Sequence, residues 1–119
     1  MVKRANNLRK VSIARLKQEM RDTVFLSNDL AITTIDYLRN PTLEIPVSLD
    51  GFAAMIMMSG SAVLSIDTET YEVLPNMLVF FRPGSIIRTI KCSSDATAYL
   101  VACTKVFVSD IQVDISASL

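Results

Sequence analysis

Residues 52–66, FAAMIMMSGSAVLSI, decide the fold of this chain. The run Phe52–Met58 is apolar throughout and has the length of one buried strand, and Ser59–Gly60 then marks a turn. The following segment, Ala62–Ile66, alternates between a drier and a wetter face, which is the period of two expected of a strand. The stretch therefore predicts two consecutive β-strands joined by a tight turn.

The same pattern continues downstream of this stretch. Further strands are predicted at Tyr71–Leu74, Leu78–Phe81, Ile86–Lys91 and Thr97–Cys103. Turn residues separate them at Asp67–Thr70, Pro75–Asn76, Pro83–Gly84 and Ser93–Asp95. Short strands with turns every 8–12 residues or so are typical of a sandwich or barrel, so the sequence predicts an all-β fold.

Upstream, the apolar residues Val24–Leu26 precede a polar turn cluster at Ser27–Asp29, and one more strand is predicted at Leu30–Ile35. Asn40–Pro41 is expected to end a short turn. Ile45–Val47 is expected to be extended, because the residue before a proline avoids the helical region. Beyond Thr104, residues 105–113 are compatible with a strand at a sheet edge or with the start of a linker helix.

The first 22 residues differ in character and are predicted to form a basic, helical arm ahead of a domain at 23–119. Apolar residues in 6–21 fall near one helical stripe. The alternative is a partly frayed arm, because Asn6–Asn7 and the terminus are polar. Residues 1–21 carry seven basic side chains and one acid, a charge of +6, and the remainder carries −6. The arm is expected to be a solvated helix face or to lie on its own acidic body. Contact with an acidic partner or with DNA is the alternative.

Composition excludes several classes of protein. The chain has 119 residues, half of them apolar, and no apolar run approaches membrane-spanning length. With no secretory pattern at residues 1–21, we expect a soluble, cytoplasmic protein without membrane contact. There is no histidine, and Cys92 and Cys103 form no C-x-x-C pair. A disulfide framework, a Cys–His nucleophile, a zinc site and a Gly-rich phosphate loop are therefore not expected.

Two stretches carry a resemblance to a known family. Residues 57–66 read MMSGSAVLSI, and residues 71–84 read YEVLPNMLVFFRPG. In order and spacing, they resemble the sensing domains of AraC-type transcription regulators, in which G-x-G or G-x-A is followed by L-x-P-G-D-L and P-P-G. Here Asn76 and Met77 replace the glycine and the acid. The resemblance covers about residues 30–110. It implies a cupin-like double-stranded β-helix, a jelly-roll barrel, here with an N-terminal helical arm.

The departures from this family's relatives are informative. By spacing from Gly60, Ala53 stands where metal-binding cupins have a glutamate. Ile87 stands where they have a histidine. A first-row metal needs imidazole or carboxylate ligands, so we expect no metal and no cofactor. The chain also has no two consecutive helical patterns, so DNA would be read only through a helix-turn-helix unit absent from it.

The resemblance and the alternation of strand faces together predict a ligand pocket inside the barrel. The predicted pocket residues are Met55, Met57, Phe80, Arg82, Ile87, Thr89, Tyr99 and Val101. Thr89 and Tyr99 would be its polar groups, and Arg82 with Arg88 would bind an anion at the mouth. The alternatives are that the methionines only fill the core and that the arginines form surface salt bridges.

The resemblance implies an effector-sensing and dimerisation domain that binds a small molecule and forms a homodimer. A structural or interaction module with a filled barrel is one alternative. A metal-free sugar isomerase or epimerase is another, although such an enzyme needs a base in the pocket and only Tyr99 would be available. We therefore expect no catalytic residues and no enzymatic activity.

Overall fold

The computed structural model describes residues 8–36 and 45–118, with side chains up to residue 111. Within these ranges the chain forms ten strands and two short-to-medium helices. The strands are β1 (Arg9–Val11), β2 (Val24–Ser27), β3 (Leu30–Asp36), β4 (Val47–Leu49), β5 (Phe52–Ser59), β6 (Ala62–Ile66), β7 (Glu69–Val73), β8 (Leu78–Phe81), β9 (Ile86–Cys92) and β10 (Thr97–Cys103). The helices are α1 (Leu16–Glu19), which follows a 3-10 turn at Ile13–Arg15, and α2 (Lys105–Ser118).

The strands form two five-stranded sheets that face each other. The first sheet has the order β1-β4-β9-β6-β7, and the second has the order β2-β3-β10-β5-β8. The all-β, cupin-like jelly-roll prediction is thus confirmed, and each strand predicted between residues 30 and 103 is present. The sequence does not predict the strand β2. The turn predicted at Asn40–Pro41 lies outside the described residues.

Most of the tight turns use residues that tolerate left-handed backbone, and the β-branched Thr68 is the exception. Gly60 (φ 71°) carries the chain from β5 in the second sheet to β6 in the first. Asp67 and Thr68 (φ 50° and 76°) close the β6–β7 hairpin, whose two central residues both need positive φ. Asn76 (φ 70°) turns the chain before β8. Three glycines therefore suffice for a fold with many turns, since Asn and Asp adopt this conformation at modest cost.

The core lies between the inner faces of the two sheets. On β5, Ala53, Met55 and Met57 are at most 5% exposed, while the residues between them face outward. On β6, Ala62 and Leu64 are each 1% exposed. Burying a side chain of the size of methionine or leucine contributes roughly 1.5–3 kcal/mol, so these inner positions supply much of the stability.

The helix predicted over residues 6–21 is wrong for most of its length. Residues 6 and 7 lie outside the described part, Arg9–Val11 is a strand, and only Leu16–Glu19 is α-helical. The strand β1 runs parallel to β4, with Val11 beside Leu49. Val11 and Ile13 are both buried, and this spacing of two fits an extended chain. Tertiary burial therefore outweighs the weak helical pattern.

Polar contacts fix this N-terminal segment against the barrel. The Asp50 carboxylate accepts a hydrogen bond from the Ile13 N–H at 3.0 Å, and the Asp50 N–H donates to the Val11 carbonyl at 3.1 Å. Arg9 forms an ion pair with Glu19. The division of the chain at residue 22 stays a prediction, although the segment before it contributes to the core.

The segment after Thr104 is helical, which decides between the two alternatives left by the sequence. Thr104 Oγ1 accepts a hydrogen bond from the Phe107 N–H at 3.2 Å, as an N-cap does. The Thr104 side chain also donates to Asp29 Oδ1 at 2.8 Å. The start of α2 is thus attached to the β2–β3 turn. Among the residues described, neither helix combines the length and the apolar character needed to cross a lipid bilayer.

Candidate functional site

A cavity of about 80 Å³ lies between the inner faces of the two sheets. The first sheet contributes Val47, Leu49, Leu64, Ile87 and Thr89 to its wall. The second sheet contributes Ile35, Ala53, Met55, Phe81 and Leu100. Met20, which follows α1, completes the lining. The wall is therefore almost wholly apolar.

Thr89 is the one polar side chain in this wall. It lies on β9 opposite Leu64 of β6, and it is 8% exposed. The hydroxyl is not one of the buried polar atoms that lack a partner, since the described residues contain none. A ligand with one hydrogen-bonding group could pair with this hydroxyl while its hydrocarbon part contacts the rest of the wall. Thr89 is thus the best candidate for a specific polar contact.

Part of the predicted pocket comes together here. Met55, Ile87 and Thr89 line the cavity, as does Ala53, which stands at the place of a metal-binding glutamate. Met57 is fully buried but lies outside the cavity wall. Whether any of these residues binds a ligand stays a prediction.

The inward orientation predicted for Phe80, Tyr99 and Val101 is wrong. Their exposed fractions are 72%, 46% and 40%, and all three lie on the outer face of the second sheet. Side chains on a strand alternate between faces, so placing one residue inward places its neighbours outward. On β10 the inner positions belong to Ala98, Leu100 and Ala102. The narrow interior takes small alanines there, and the larger tyrosine and valine point out.

Arg82 and Arg88 lie away from the cavity. Both are exposed, and Arg88 stands beside Ser65 on the outer face of the first sheet. Neither forms a salt bridge with any residue that the structure describes. The anion-binding role predicted for Arg82 at the barrel mouth therefore has no geometric support in this arrangement.

Several wall residues carry no distinguishing signal in the sequence. Phe81 and Leu100 stand next to Phe80 and Tyr99 in strands that are largely apolar on both faces, so the pattern does not favour one neighbour over the other. Only the register of each strand decides which face is inner, and an apolar run does not reveal it. Leu49 lies on β4, which pairs with the unpredicted strand β1, and Met20 follows the short helix α1.

The wall does not suit the metal that metal-binding cupins hold. Ala53 and Ile87 offer hydrocarbon where carboxylate and imidazole ligands are needed, and Thr89 is a poor substitute for either. In the described part of the chain, no group of three or more His, Cys, Asp or Glu side chains is placed to hold a metal ion. Burial raises the pKa of the Cys103 thiol, which further disfavours a thiolate ligand or nucleophile at that position.

Fold and cavity together define a cupin-like barrel with an apolar interior. Comparison with known proteins agrees with the fold. No protein-family pattern and no curated protein matches the chain. Among solved structures, it is similar to a candidate mannose-6-phosphate isomerase from Ralstonia eutropha JMP134, with a TM-score of 0.56, 13% identity and coverage of 70% of this chain and 82% of that one.

Two further similar structures are named as cupins. One is a cupin superfamily protein from Desulfitobacterium hafniense DCB-2, with a TM-score of 0.53, 10% identity and coverage of 70% and 74% of the two chains. The other is a Cupin 2 conserved barrel domain protein from Salinispora arenicola CNS-205, with a TM-score of 0.50, 15% identity and coverage of 71% and 70%. At such low identity, these similarities establish a cupin-like fold and no particular activity.

Proposed function

We propose that this chain is a non-catalytic, effector-sensing and self-associating domain of the kind found in AraC-type transcription regulators, working in the cytoplasm. The observation that carries the proposal is the apolar cavity, in which Ala53 and Ile87 occupy the places of metal ligands and Thr89 offers a single hydroxyl. Such a wall favours a small, mostly apolar effector with one hydrogen-bonding group.

The size of the cavity limits the effector. At about 80 Å³ it is smaller than the roughly 150 Å³ apolar cavity that accepts benzene in another protein, and far below the roughly 300 Å³ of ordinary ligand pockets. Met20 and Met55 lie in the wall, and methionine side chains rearrange readily. We therefore expect a compact ligand, up to a phenol or a short alcohol, that enters as these side chains move.

The same wall argues against a sugar or a sugar phosphate as the ligand. Each hydroxyl that enters without a partner costs about 1–3 kcal/mol, and a phosphate would need a buried cation. The wall contains no charged side chain. A proton-transfer enzyme is also disfavoured, because it needs a base in the pocket. Tyr99, the candidate base in the sequence, lies on the outer surface.

The test is a thermal-shift and calorimetric screen with phenol, short alcohols, benzoate, glucose and mannose 6-phosphate. We expect stabilisation by the first two alone, reaching about 2.7 kcal/mol at a ligand concentration of one hundred times Kd. Thr89→Val keeps the shape of the side chain and is expected to weaken phenol binding about tenfold, since one hydrogen bond is lost. Ala53→Leu fills the cavity and should abolish binding.

Ser65→Val is the control for Thr89→Val. It also replaces a hydroxyl by hydrocarbon, but on the outer face of the first sheet, so it should leave binding unchanged. Stabilisation by mannose 6-phosphate, or phenol binding that survives Ala53→Leu, would contradict the proposed effector class. A helix-turn-helix pair encoded downstream of residue 119 would support the regulatory assignment, and a gene with none would oppose it.

A ligand-free structural module is the second candidate, favoured by the small volume of the cavity. It predicts that no compound in the screen raises the melting temperature. It also predicts that Ala53→Leu is tolerated or stabilising, because filling a void restores packing contacts.

A further inference from the structure

The outer face of the second sheet is apolar across all five strands. A row of directly paired residues crosses it, namely Phe80, Ala54, Val101, Ile32 and Val24. These side chains share one face because residues opposite each other in a sheet point to the same side. Phe80 and Val24, at the two edges, are 72% and 59% exposed.

A second row lies beside the first and is also uncharged. It contains Leu78, Ile56 and Tyr99, which are paired directly across β8, β5 and β10. Leu78 is 54% exposed and Tyr99 is 46% exposed. We call these two rows together the apolar face.

The apolar face is comparable in size to the largest apolar patch of a typical monomer. Its most exposed side chains are 40–72% exposed, namely Val24, Leu78, Phe80, Tyr99 and Val101. At roughly 150–200 Å² of surface for each side chain, they leave roughly 400–500 Å² accessible. The largest apolar patch on a typical monomer is about 300–600 Å² and is often functional. The other sheet shows that this surface is not required by the fold, because its outer rows include Lys10, Arg88 and Glu72.

We propose that the apolar face is the homodimer interface, with the apolar face of a second copy packed against it about a two-fold axis. This proposal rests on the self-associating role proposed above and is independent of the cavity and its effector. Two copies would bury roughly 1,000 Å² in total, which reaches the lower bound for a stable protein interface. Sheets pack face to face in this way at an angle of about 30°.

The shape of the face favours a second copy over an unrelated partner. Phe80 projects from the surface directly beside Ala54, which has almost no side chain. A two-fold interface needs each protrusion to meet a hollow on the same surface, and the two neighbours supply both. Each Phe80 would fill the space over the Ala54 of the other copy. The absence of charge in both rows means that like charges would not oppose each other in this pairing.

The experiment is sedimentation equilibrium of the full chain over a range of micromolar concentrations, with and without the variant Phe80→Arg. We expect the unmodified chain to have twice its 13.2 kDa mass. Phe80→Arg should raise the dimer dissociation constant about thirtyfold or more, as expected for an aromatic hot spot. Val101→Lys, in the centre of the same row, should also raise the dimer dissociation constant. It replaces Phe80→Arg as the test if that variant fails to fold.

Ile90→Arg is the matched control. Ile90 is 43% exposed, but it lies on β9 of the first sheet, so this variant should dimerise normally. A chain that is monomeric at every concentration would overturn both the interface and the self-associating role, while leaving effector binding intact. A dimer that survives both Phe80→Arg and Val101→Lys would overturn the interface alone, whether or not it dissociates in Ile90→Arg.

Discussion

The two sheets have similar inner faces and opposite outer faces. Inside, Leu64 of the first sheet and Met55 of the second are each 1% exposed. Outside, Arg88 of the first sheet stands in a charged and polar surface, whereas Phe80 of the second is among hydrocarbon neighbours. One fold therefore supports two kinds of outer surface, and the residues that face away from the core carry the information about partners.

The same difference is visible in the sequences of the strands. On β7 of the first sheet, acidic and polar residues occupy four of five positions, whereas β5 of the second is apolar from Phe52 to Met58. A strand that is apolar on both faces is typically covered on both. In this chain the core covers one face of β5, and the proposed interface would cover the other.

The largest expected effect on the free energy of unfolding comes from substitutions on the inner faces of the two sheets. Leu64→Ala and Met55→Ala should each lower the free energy of unfolding by about 2–5 kcal/mol, because each leaves a void in the core. Urea denaturation monitored by circular dichroism measures both. Val63→Ala, next to Leu64 but facing outward, should cost well under half as much. If one of the two variants lowered the free energy of unfolding by less than about 1 kcal/mol, the inner faces at Leu64 and Met55 would not contribute equally to stability.

A smaller effect is expected at the turn that joins the sheets. Gly60→Ala forces a side chain into left-handed backbone, with its Cβ 2.7 Å from Ala96 Cα and also against Ser93 Oγ. We expect a loss of about 3 kcal/mol or slightly less, the upper end for one strained residue. Gly84 has φ 84° but open space around it, so Gly84→Ala should cost only about 1 kcal/mol. Equal losses in the two variants would show that the β5–β6 turn can move to accept the methyl group.

The smallest effect concerns a pH-dependent pair on β7 of the first sheet. The Tyr71 hydroxyl donates a hydrogen bond to Glu69 Oε1 at 2.7 Å, and this bond, together with the negative charge of Glu69, raises the pKa of Tyr71 above its ordinary value of 10.0. The folded chain thus retains this proton at a pH at which the unfolded chain has lost it. Any resulting stabilisation is present below pH 10.0 and disappears as the pH rises through the raised pKa.

Glu69→Ala should return the pKa of Tyr71 towards 10.0, as measured by the ultraviolet absorbance of tyrosinate during a pH titration. Tyr71→Phe identifies which of the tyrosine titrations belongs to this residue. An unchanged titration in Glu69→Ala would mean that the hydrogen bond does not persist in solution.

The strands and turns of the barrel could be predicted from the sequence because they depend on local patterns. Alternation in Ala62–Ile66 and the turn residues at Ser59–Gly60 and Pro83–Gly84 carry that information without reference to the rest of the chain. The replacement of metal ligands by Ala53 and Ile87 was likewise visible from spacing, and both side chains do line the cavity.

The remaining features depend on register and on distant contacts. In β8 and β10, apolar residues occupy both faces, so the pattern fits Phe80 inward as well as Phe81 inward. The structure selects Phe81, at 6% exposed, through the pairing of Ala53 with Phe81. Similarly, the strand at Arg9–Val11 exists because β4 offers an unpaired edge almost forty residues away. No local helical pattern could reveal that partner.

The parallel pairing of β1 with β4 also bears on how the chain can be shortened. A protease cut or an engineered start between Val11 and Leu16 would remove β1, the strand that pairs with β4. It would also remove Val11 and Ile13 from the interior. The newly bare strand edge would be free to recruit other chains. The basic arm is therefore better regarded as a part of the barrel than as an extension that can be removed.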